Sequence, residues 1–147
     1  MIKITKAVVS DAQNIRKLES KVWGEEVVNK YDIPMFIRFG WCFVAKDSGK
    51  IIGAIYAYST RAGQVYVSDW VVDSKHRGQE IGLALYRALI SAVRGKSIIS
   101  FIDPKNTVSL AGHKKLGFKI VRTVPDAYGL KKGIEGGPRI LVKLKNQ

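Results

Sequence analysis

The chain has 147 residues, the size range of one domain that buries its own core, so we expect a single domain over residues 1–147. Its 25 lysine and arginine residues outweigh 12 acidic residues and give a net charge of +13. A field of that sign concentrates anions, so phosphate-bearing small molecules, nucleic acids and acidic protein surfaces all stay open as partners. A solubilising coat of lysines accounts for the charge equally well.

The sequence contains few features that would indicate a targeting segment or disulfide bonds. Residues 1–6 lack the long apolar segment of a signal peptide, and no apolar run approaches the roughly 18 residues of a membrane span. We therefore expect a cytoplasmic protein without a membrane partner. Cys42 is the only cysteine, which excludes an intrachain disulfide and a cysteine-based metal site, and its apolar neighbours predict a buried thiol.

The first forty residues predict one strand and two helices. Residues 2–7 alternate in polarity as a half-buried strand does. Ser10 and Gln13 have the spacing of a capping box, and apolar residues at helical spacing follow them. Pro34 marks the start of a second, shorter helix, which Gly40 ends.

The rest of the chain alternates strands and helices. β-rich runs at 41–46, 51–59 and 65–72 are separated by turn residues, which predicts three consecutive strands. Helical spacing follows from Ile81 until Gly95. The remaining elements are strands at 97–102, 118–124 and 139–145, a helix at 107–116 and a glycine-rich loop at 125–138. This order predicts an α/β fold, with a mixed central sheet of about seven strands and helices on both faces.

Residues 69–85 join an apolar strand to an amphipathic helix through a basic turn. Such a turn directs unpaired N–H groups and the positive end of the helix dipole at one spot, which suits a phosphate group. Arg77, Gly78 and Gly82 resemble the acyl-CoA pyrophosphate loop of the GCN5-related N-acetyltransferase (GNAT) family: arginine or glutamine, two residues, glycine, one residue, then glycine or alanine. Glu80 stands where that pattern has its first glycine.

A second motif lies at residues 106–118, which resemble the family's asparagine, helix and Tyr-x-Lys-x-Gly-Phe signature. The matching residues are Asn106, Ala111, Lys115, Gly117 and Phe118, and His113 takes the place of the tyrosine. Two motifs in the right order, within the right order of elements, are a stronger signal than either alone. The resemblance extends over residues 1–147, and it implies a GNAT-like fold with acetyl-CoA as cosubstrate and no metal.

The resemblance also implies how acetyl-CoA binds. The thioester lies between two parallel strands that separate, here 65–72 and 97–102, and the loop and Asn106 hold the rest of the molecule. Main-chain groups would come from Trp70, Val71 and Val72, loop N–H groups from Gly78, Gln79, Glu80, Ile81, Gly82 and Leu83, and a charge from Arg77 beside the phosphates. We expect position 80 to need a conformation that glycine adopts at lower cost. The carboxylate there repels phosphate unless it turns toward Lys75, Arg77 or solvent.

The implied chemistry is direct attack of a primary amine on the thioester. An alkyl amine has a pKa of about 10.4, so it must lose a proton before it can attack. Asp69 is the candidate for binding the substrate ammonium or relaying its proton, and a strand-end carboxylate paired with a lysine is the alternative. His113 is the candidate acid for the departing thiolate, and a packing residue is the alternative.

Acceptor-binding candidates follow the first helix. Glu25 and Glu26 lie where the family builds the acceptor side of its cleft, although a charged helix end explains them as well. Tyr66 and Tyr128 are further candidates for lining the cleft, or are ordinary sheet residues.

The predicted function is transfer of an acetyl group from acetyl-CoA to a primary amine, either a protein N-terminus or lysine or a small amine metabolite. One alternative is a basic nucleic-acid-binding module, whose affinity would fall steeply with salt. The sequence lacks zinc-finger spacing and alternating aromatic and basic residues, so nucleic acid is the less favoured partner. A second alternative is a catalytically weak CoA-binding protein, because Glu80 and His113 depart from the motifs. Family members often form dimers, so a homodimer stays open.

Overall fold

The computed structural model describes residues 1–24, 31–78, 80–129 and 136–147. The strands in these ranges are β1 (Ile2–Lys6), β2 (Trp41–Asp47), β3 (Lys50–Ser59), β4 (Val65–Val72), β5 (Ile98–Ile102), β6 (Lys119–Val124) and β7 (Arg139–Leu144). The α-helices are α1 (Ala12–Trp23), α2 (Asp32–Phe39), α3 (Ile81–Ala92) and α4 (Thr107–Lys115). None of the described helices is both long enough and apolar enough to cross a membrane.

The strands form one sheet in the order β1-β2-β3-β4-β5-β7-β6. Neighbouring strands are antiparallel except for β4 and β5, which are parallel. One core cluster packs α3 against the sheet, and a second packs α1 and α2 against the opposite face. The predicted α/β fold, a mixed sheet of seven strands with helices on both faces, is confirmed.

A bulge in β4 decides which face its later side chains take. Tyr56 of β3 pairs with Asp69, while the next residue of β3 pairs with Val67, so Ser68 has no counterpart. Because side chains alternate along a strand, one extra residue moves every later side chain to the opposite face. Asp69 therefore shares the α1 and α2 face with Tyr56, and Trp70 packs against the core on the α3 face.

The sheet opens between its two parallel strands. β4 and β5 pair only at Val65 with Ile98 and at Tyr66 with Ile99. Beyond these positions the edge of β4 that faces β5 pairs with no strand of the described chain. The predicted separation of these two strands is confirmed, and it leaves backbone N–H and C=O groups available beside Val71.

The predicted capping box at Ser10 is wrong. A short 3₁₀ turn, Val9–Asp11, precedes α1, and Ser10 lies inside it. The Asp11 carboxylate takes the capping role instead, because its Oδ2 accepts the Val8 N–H at 2.9 Å. The other oxygen, Oδ1, lies 3.0 Å from Lys46 Nζ on β2, so this residue also ties the start of α1 to the sheet.

Candidate functional site

A cavity of about 810 Å³ lies beside the last residues of β4, beyond the point where β4 leaves β5. The predicted cofactor-binding residues that the structure describes all line it: Trp70, Val71, Val72, Arg77, Gly78, Glu80, Ile81, Gly82, Leu83 and Asn106. Three predicted site residues, Gln79, Glu25 and Glu26, lie outside the described residues. The structure thus brings the end of α1, the end of β4, the turn after it, the start of α3 and one side of α4 around a single space.

The turn before α3 has the backbone geometry expected of an anion-binding loop. Gly78 has φ +84°, and Glu80 has φ 60° and ψ 17°, so both are left-handed. Glu80 immediately precedes α3, whose first N–H groups have no partner within the helix. A side chain in this conformation costs roughly 1–2 kcal/mol relative to glycine, so the sequence prediction for position 80 describes the geometry correctly.

The Glu80 carboxylate turns across the cavity mouth. Its Oε1 lies 4.0 Å from Lys115 Nζ on α4, and both side chains are well exposed. Of the predicted surroundings, the structure gives solvent, with Lys115 as the nearby cation in place of Lys75 or Arg77. An exposed ion pair of this kind contributes little to stability, but it occupies a lysine that lines the cavity.

Asp73 fixes the start of the turn. Its Oδ1 accepts the Lys75 N–H at 3.3 Å, and its Oδ2 lies 3.1 Å from Lys21 Nζ on α1. Burial opposes ionisation, but the hydrogen bonds from Lys21 and Lys75 and the Lys21 charge together lower the pKa of Asp73. Sequence reasoning missed this anchor, because the spacing of Lys21 and Asp73 carries no local signal.

The Trp70 side chain forms a wall of the cavity between α3 and α4. Its Nε1 donates to the Gly82 carbonyl oxygen at 2.9 Å. A Cβ atom on Gly82 would lie 3.2 Å from Trp70 Cζ2, and one on Gly112 would lie 2.8 Å from Cη2. Both glycines therefore make room for the indole ring, which the sequence analysis had treated only as a source of main-chain groups.

His113 lies behind this wall and does not reach the cavity. It is 2% exposed, and its ring centroid is 5.1 Å from that of Trp70. Nδ1 lies 2.8 Å from the Ser109 carbonyl oxygen, which can only accept, so Nδ1 carries the proton and Nε2 accepts from the Tyr86 hydroxyl at 3.0 Å. Burial lowers the pKa of His113, opposed by the Ser109 hydrogen bond, so the ring is neutral at pH 7.

The prediction that His113 protonates the departing thiolate therefore does not fit the geometry. Both ring nitrogens are engaged within the protein, and the Trp70 ring packs against the imidazole. The structure gives His113 the alternative role, that of a satisfied core residue joining α4 to α3.

Asp69 lies on the other face of β4, next to two buried polar side chains. Its Oδ1 accepts the Trp70 N–H at 2.9 Å, and its carboxyl group contacts that of Glu19 on α1. The Tyr56 hydroxyl donates to Glu19 Oε2. Burial first, then the hydrogen bond and the charge of Asp69, raise the pKa of Glu19 from 4.5 to about 9, against the Tyr56 hydrogen bond and Arg16. The sequence analysis did not find Glu19.

A smaller cavity of about 260 Å³ lies on the α1 and α2 face of the sheet. Aromatic side chains from β3, β4, β5 and the segment after β6 line it, chiefly Tyr58, Tyr66, Phe101 and Tyr128. The Tyr66 and Tyr128 hydroxyls contact each other, and burial, followed by these neighbours, raises the pKa of Tyr66. Tyr66 and Tyr128, which the sequence suggests as residues lining the substrate cleft, line this smaller cavity and not the larger one. Asp69 lies further along β4 on the same face, beyond Ser68.

Metal ligation has no candidate among residues 1–24, 31–78, 80–129 and 136–147. In these ranges no three histidine, cysteine or acidic side chains come together in a way that could hold an ion.

A mixed seven-stranded sheet that opens between parallel strands beside a phosphate-suited turn is the fold of the acetyl-CoA-dependent acetyltransferases. The family model described as Acetyltransferase (GNAT) family matches residues 12–118, and the chain belongs to this family. The recognition made from residues 69–118 is thereby confirmed.

Solved structures show the same fold. The ribosomal-protein-S18-alanine N-acetyltransferase of Escherichia coli has a TM-score of 0.83 at 18% identity, covering 100% of this chain and 95% of that one. Naa50 of Arabidopsis thaliana, in complex with the bisubstrate analogue CoA-Ac-MVNAL, has 0.79 at 20% identity over 97% of both chains. The putative acetyltransferase YncA of Salmonella typhimurium, solved with acetyl-CoA, has 0.79 at 20% identity, covering 99% and 94%. No curated protein sequence is significantly similar to this chain.

The neutral, buried state of His113 predicts a pH-dependent stability. A pKa lowered by folding means that the unfolded chain takes up a proton that the folded protein excludes, so stability falls as the pH drops below about 6.5. We expect His113→Gln to cost about 2 kcal/mol at neutral pH and to remove part of this acid sensitivity. Urea unfolding of both proteins at several pH values measures the effect. A variant with native stability but lost turnover would instead place His113 in the chemistry.

The contact between Gly112 and Trp70 predicts that Gly112→Ala distorts the cavity. The new methyl group forces the indole ring to move, and we expect this to outweigh the gain of about 1 kcal/mol in helix propensity and to lower acetyl-CoA affinity. Calorimetric titration measures the affinity. In a Trp70→Leu background the same substitution should have little further effect, and an equal loss there would rule out the ring contact as the cause.

Proposed function

We propose that this protein transfers an acetyl group from acetyl-CoA to a primary amine by direct attack. The observation that carries the proposal is the continuous cavity that joins the open edge of β4 to the turn before α3. Acetyl-CoA has an extended arm and a pyrophosphate, and each part needs its own partner. Backbone groups along a strand can bind the arm, and converging N–H groups can bind the phosphates.

The proposed cosubstrate contacts follow from this geometry. The pyrophosphate accepts hydrogen bonds from the N–H groups of Gly78 and residues 80–83, and the N–H of Gln79 is predicted to take part as well. Arg77 and Lys115 supply positive charge. The pantetheine arm pairs with the main chain at Val71 and its two neighbours. The Asn106 side chain accepts the Ser109 N–H at 3.1 Å and so caps α4, and we propose that its amide nitrogen also contacts the arm.

The proposed reaction uses one carboxylate. The ammonium of the acceptor transfers a proton to Asp69, directly or through water, and the neutral nitrogen attacks the thioester carbonyl carbon. The C–N bond forms, the C–S bond breaks and CoA leaves as a thiolate, while the attacking nitrogen releases its second proton to solvent, which gives a neutral amide. Because its thiol has a pKa of about 8.5, the CoA thiolate can leave without a side-chain acid, and solvent then protonates the thiolate.

The acceptor is proposed to enter on the face of the sheet opposite the CoA cavity. The aromatic cavity beside Tyr66 offers ring faces that attract an ammonium, and Asp69 supplies the negative charge beyond it. A protein N-terminus, a lysine and a small amine metabolite all carry the required group, and Glu25 and Glu26 remain proposed contacts. Acetyl transfer is the family's activity, and we propose an amine nitrogen as its acceptor here.

The proposed binding of acetyl-CoA is tested by calorimetric titration at low and high salt, with ATP as a competing anion. We expect micromolar affinity that survives salt and a preference for acetyl-CoA, because the turn and the strand edge recognise more than charge. An amine panel with detection of released CoA thiol then measures transfer. Equal binding of ATP and acetyl-CoA, lost with salt, would contradict the enzyme and favour the basic nucleic-acid-binding alternative.

Glu80 predicts a gain of affinity on substitution. Glu80→Gly removes both the left-handed side chain and the carboxylate that competes with phosphate for Lys115, whereas Glu80→Gln removes only the charge. We expect Glu80→Gly to be more stable by about 1 kcal/mol and both variants to bind acetyl-CoA several-fold more tightly. Thermal unfolding and calorimetry separate the two effects. Unchanged affinity in both variants would show that the Glu80 carboxylate does not oppose the phosphates.

A further inference from the structure

Glu19 is a buried acid with no role in the proposed reaction so far. It lies on α1, is 1% exposed, and faces the sheet among apolar neighbours such as Ile15 and Leu18. An acidic side chain is very seldom buried to this degree unless it is paired or uncharged. Its partners therefore decide its protonation state.

One carboxyl oxygen has a clear donor and the other does not. The Tyr56 hydroxyl donates to Glu19 Oε2. Glu19 Oε1 and Asp69 Oδ2 are both enclosed, and in the described part of the chain no N–H or O–H group reaches either atom. The two carboxyl groups contact each other. Two ionised oxygens in such a contact would repel strongly, whereas a proton between them makes a charge-assisted hydrogen bond.

We propose that Glu19 is the positioning residue for Asp69: it remains protonated and donates its O–H to Asp69 Oδ2, so that the pair holds one proton and one negative charge. Only the role of Asp69 as proton acceptor rests on the proposed function. The shared proton rests on the contacts of Glu19, Tyr56 and Asp69 alone.

The surrounding groups agree with this assignment. Tyr56 on β3 and Cys42 on β2 face the pair as neutral groups, since burial raises the pKa of the Tyr56 hydroxyl above its usual range and that of the Cys42 thiol to about 12. Arg16, on the same helix as Glu19, is the nearby positive charge. Burial of the Glu19 carboxyl outweighs that attraction, so its proton is retained at neutral pH.

The arrangement gives Asp69 a fixed orientation and a fixed charge. Its Oδ1 is held by the Trp70 N–H and its Oδ2 by Glu19, so the carboxylate is held from two sides. When an acceptor ammonium donates its proton, Asp69 becomes a neutral acid and the amine becomes neutral, which conserves charge. The Glu19 proton does not leave in this step, and Asp69 later returns the acquired proton to water.

Glu19→Gln tests the assignment directly. The glutamine amide reproduces a protonated glutamate, because its oxygen accepts from Tyr56 and its NH₂ donates to Asp69. We expect kcat/KM within about threefold of the native value for Glu19→Gln and a loss of about tenfold or more for Glu19→Leu, which leaves Asp69 Oδ2 without a donor. Both variants should keep native acetyl-CoA affinity, and Asp69→Asn should abolish transfer. Loss of activity in Glu19→Gln equal to that in Asp69→Asn would overturn the proposal.

The pH dependence of unfolding supplies a readout that needs no enzyme activity. A carboxyl pKa raised by folding from 4.5 means that the folded protein binds one more proton than the unfolded chain above that pH. Relative to Glu19→Gln, the native unfolding constant should therefore rise by up to about tenfold per pH unit from pH 4.5 toward about 9. Identical slopes in the two proteins would mean that Glu19 is ionised when folded, and the proposal would fail. Native protein with this slope but no acetyl transfer would overturn the proposed function alone.

Discussion

Ser68 has no counterpart on β3, and the side chains after it depend on that single bulge. Without it, the alternation of β4 would direct Asp69 toward α3 and Trp70 toward α1. The bulge also increases the local twist of the strand, which is consistent with the last β4–β5 pair lying only two positions earlier, at Tyr66. One inserted residue thus determines which face carries the carboxylate and which face carries the indole.

The two faces of β4 present charges of opposite sign. On the α3 face, the cavity is lined by Arg77 and Lys115, which suit the phosphates of the cosubstrate within a chain of net charge +13. On the α1 face, desolvation of Glu19 leaves a single negative charge on Asp69, which suits one ammonium. A pair with two negative charges would cost far more in this low-dielectric setting, so the protonated partner limits the charge the core has to hold.

The sequence predicted elements and motif residues well and predicted side-chain surroundings poorly. Hydrophobic period and turn residues located the seven strands and four α-helices in the described part of the chain, and the glycine spacing located the turn, because these signals are local. The left-handed conformation of Glu80 was predicted correctly, because it depends only on the local backbone. The packing role of His113 was only the alternative prediction, and Glu19 was not predicted at all. Their burial depends on residues distant in the sequence, Trp70 and Tyr86 for His113 and Tyr56 and Asp69 for Glu19. From the sequence alone, a helical glutamate between lysines is expected to face solvent. Its burial becomes evident only when the sheet that packs against the helix is known.

Asp69 and Trp70 are consecutive residues with side chains on opposite faces, and this adjacency constrains the reaction. In the proposed reaction the cosubstrate lies on the Trp70 side and the acceptor on the Asp69 side, so the thioester and the amine would meet beside the main chain that joins these two residues. The Trp70 N–H donates to Asp69 Oδ1, which couples the position of the proton acceptor to the strand segment that the pantetheine arm would pair with. A shift of β4 that misplaces the arm would therefore also misplace the proposed base. In this proposal one segment of backbone, rather than two independent sites, aligns the two substrates.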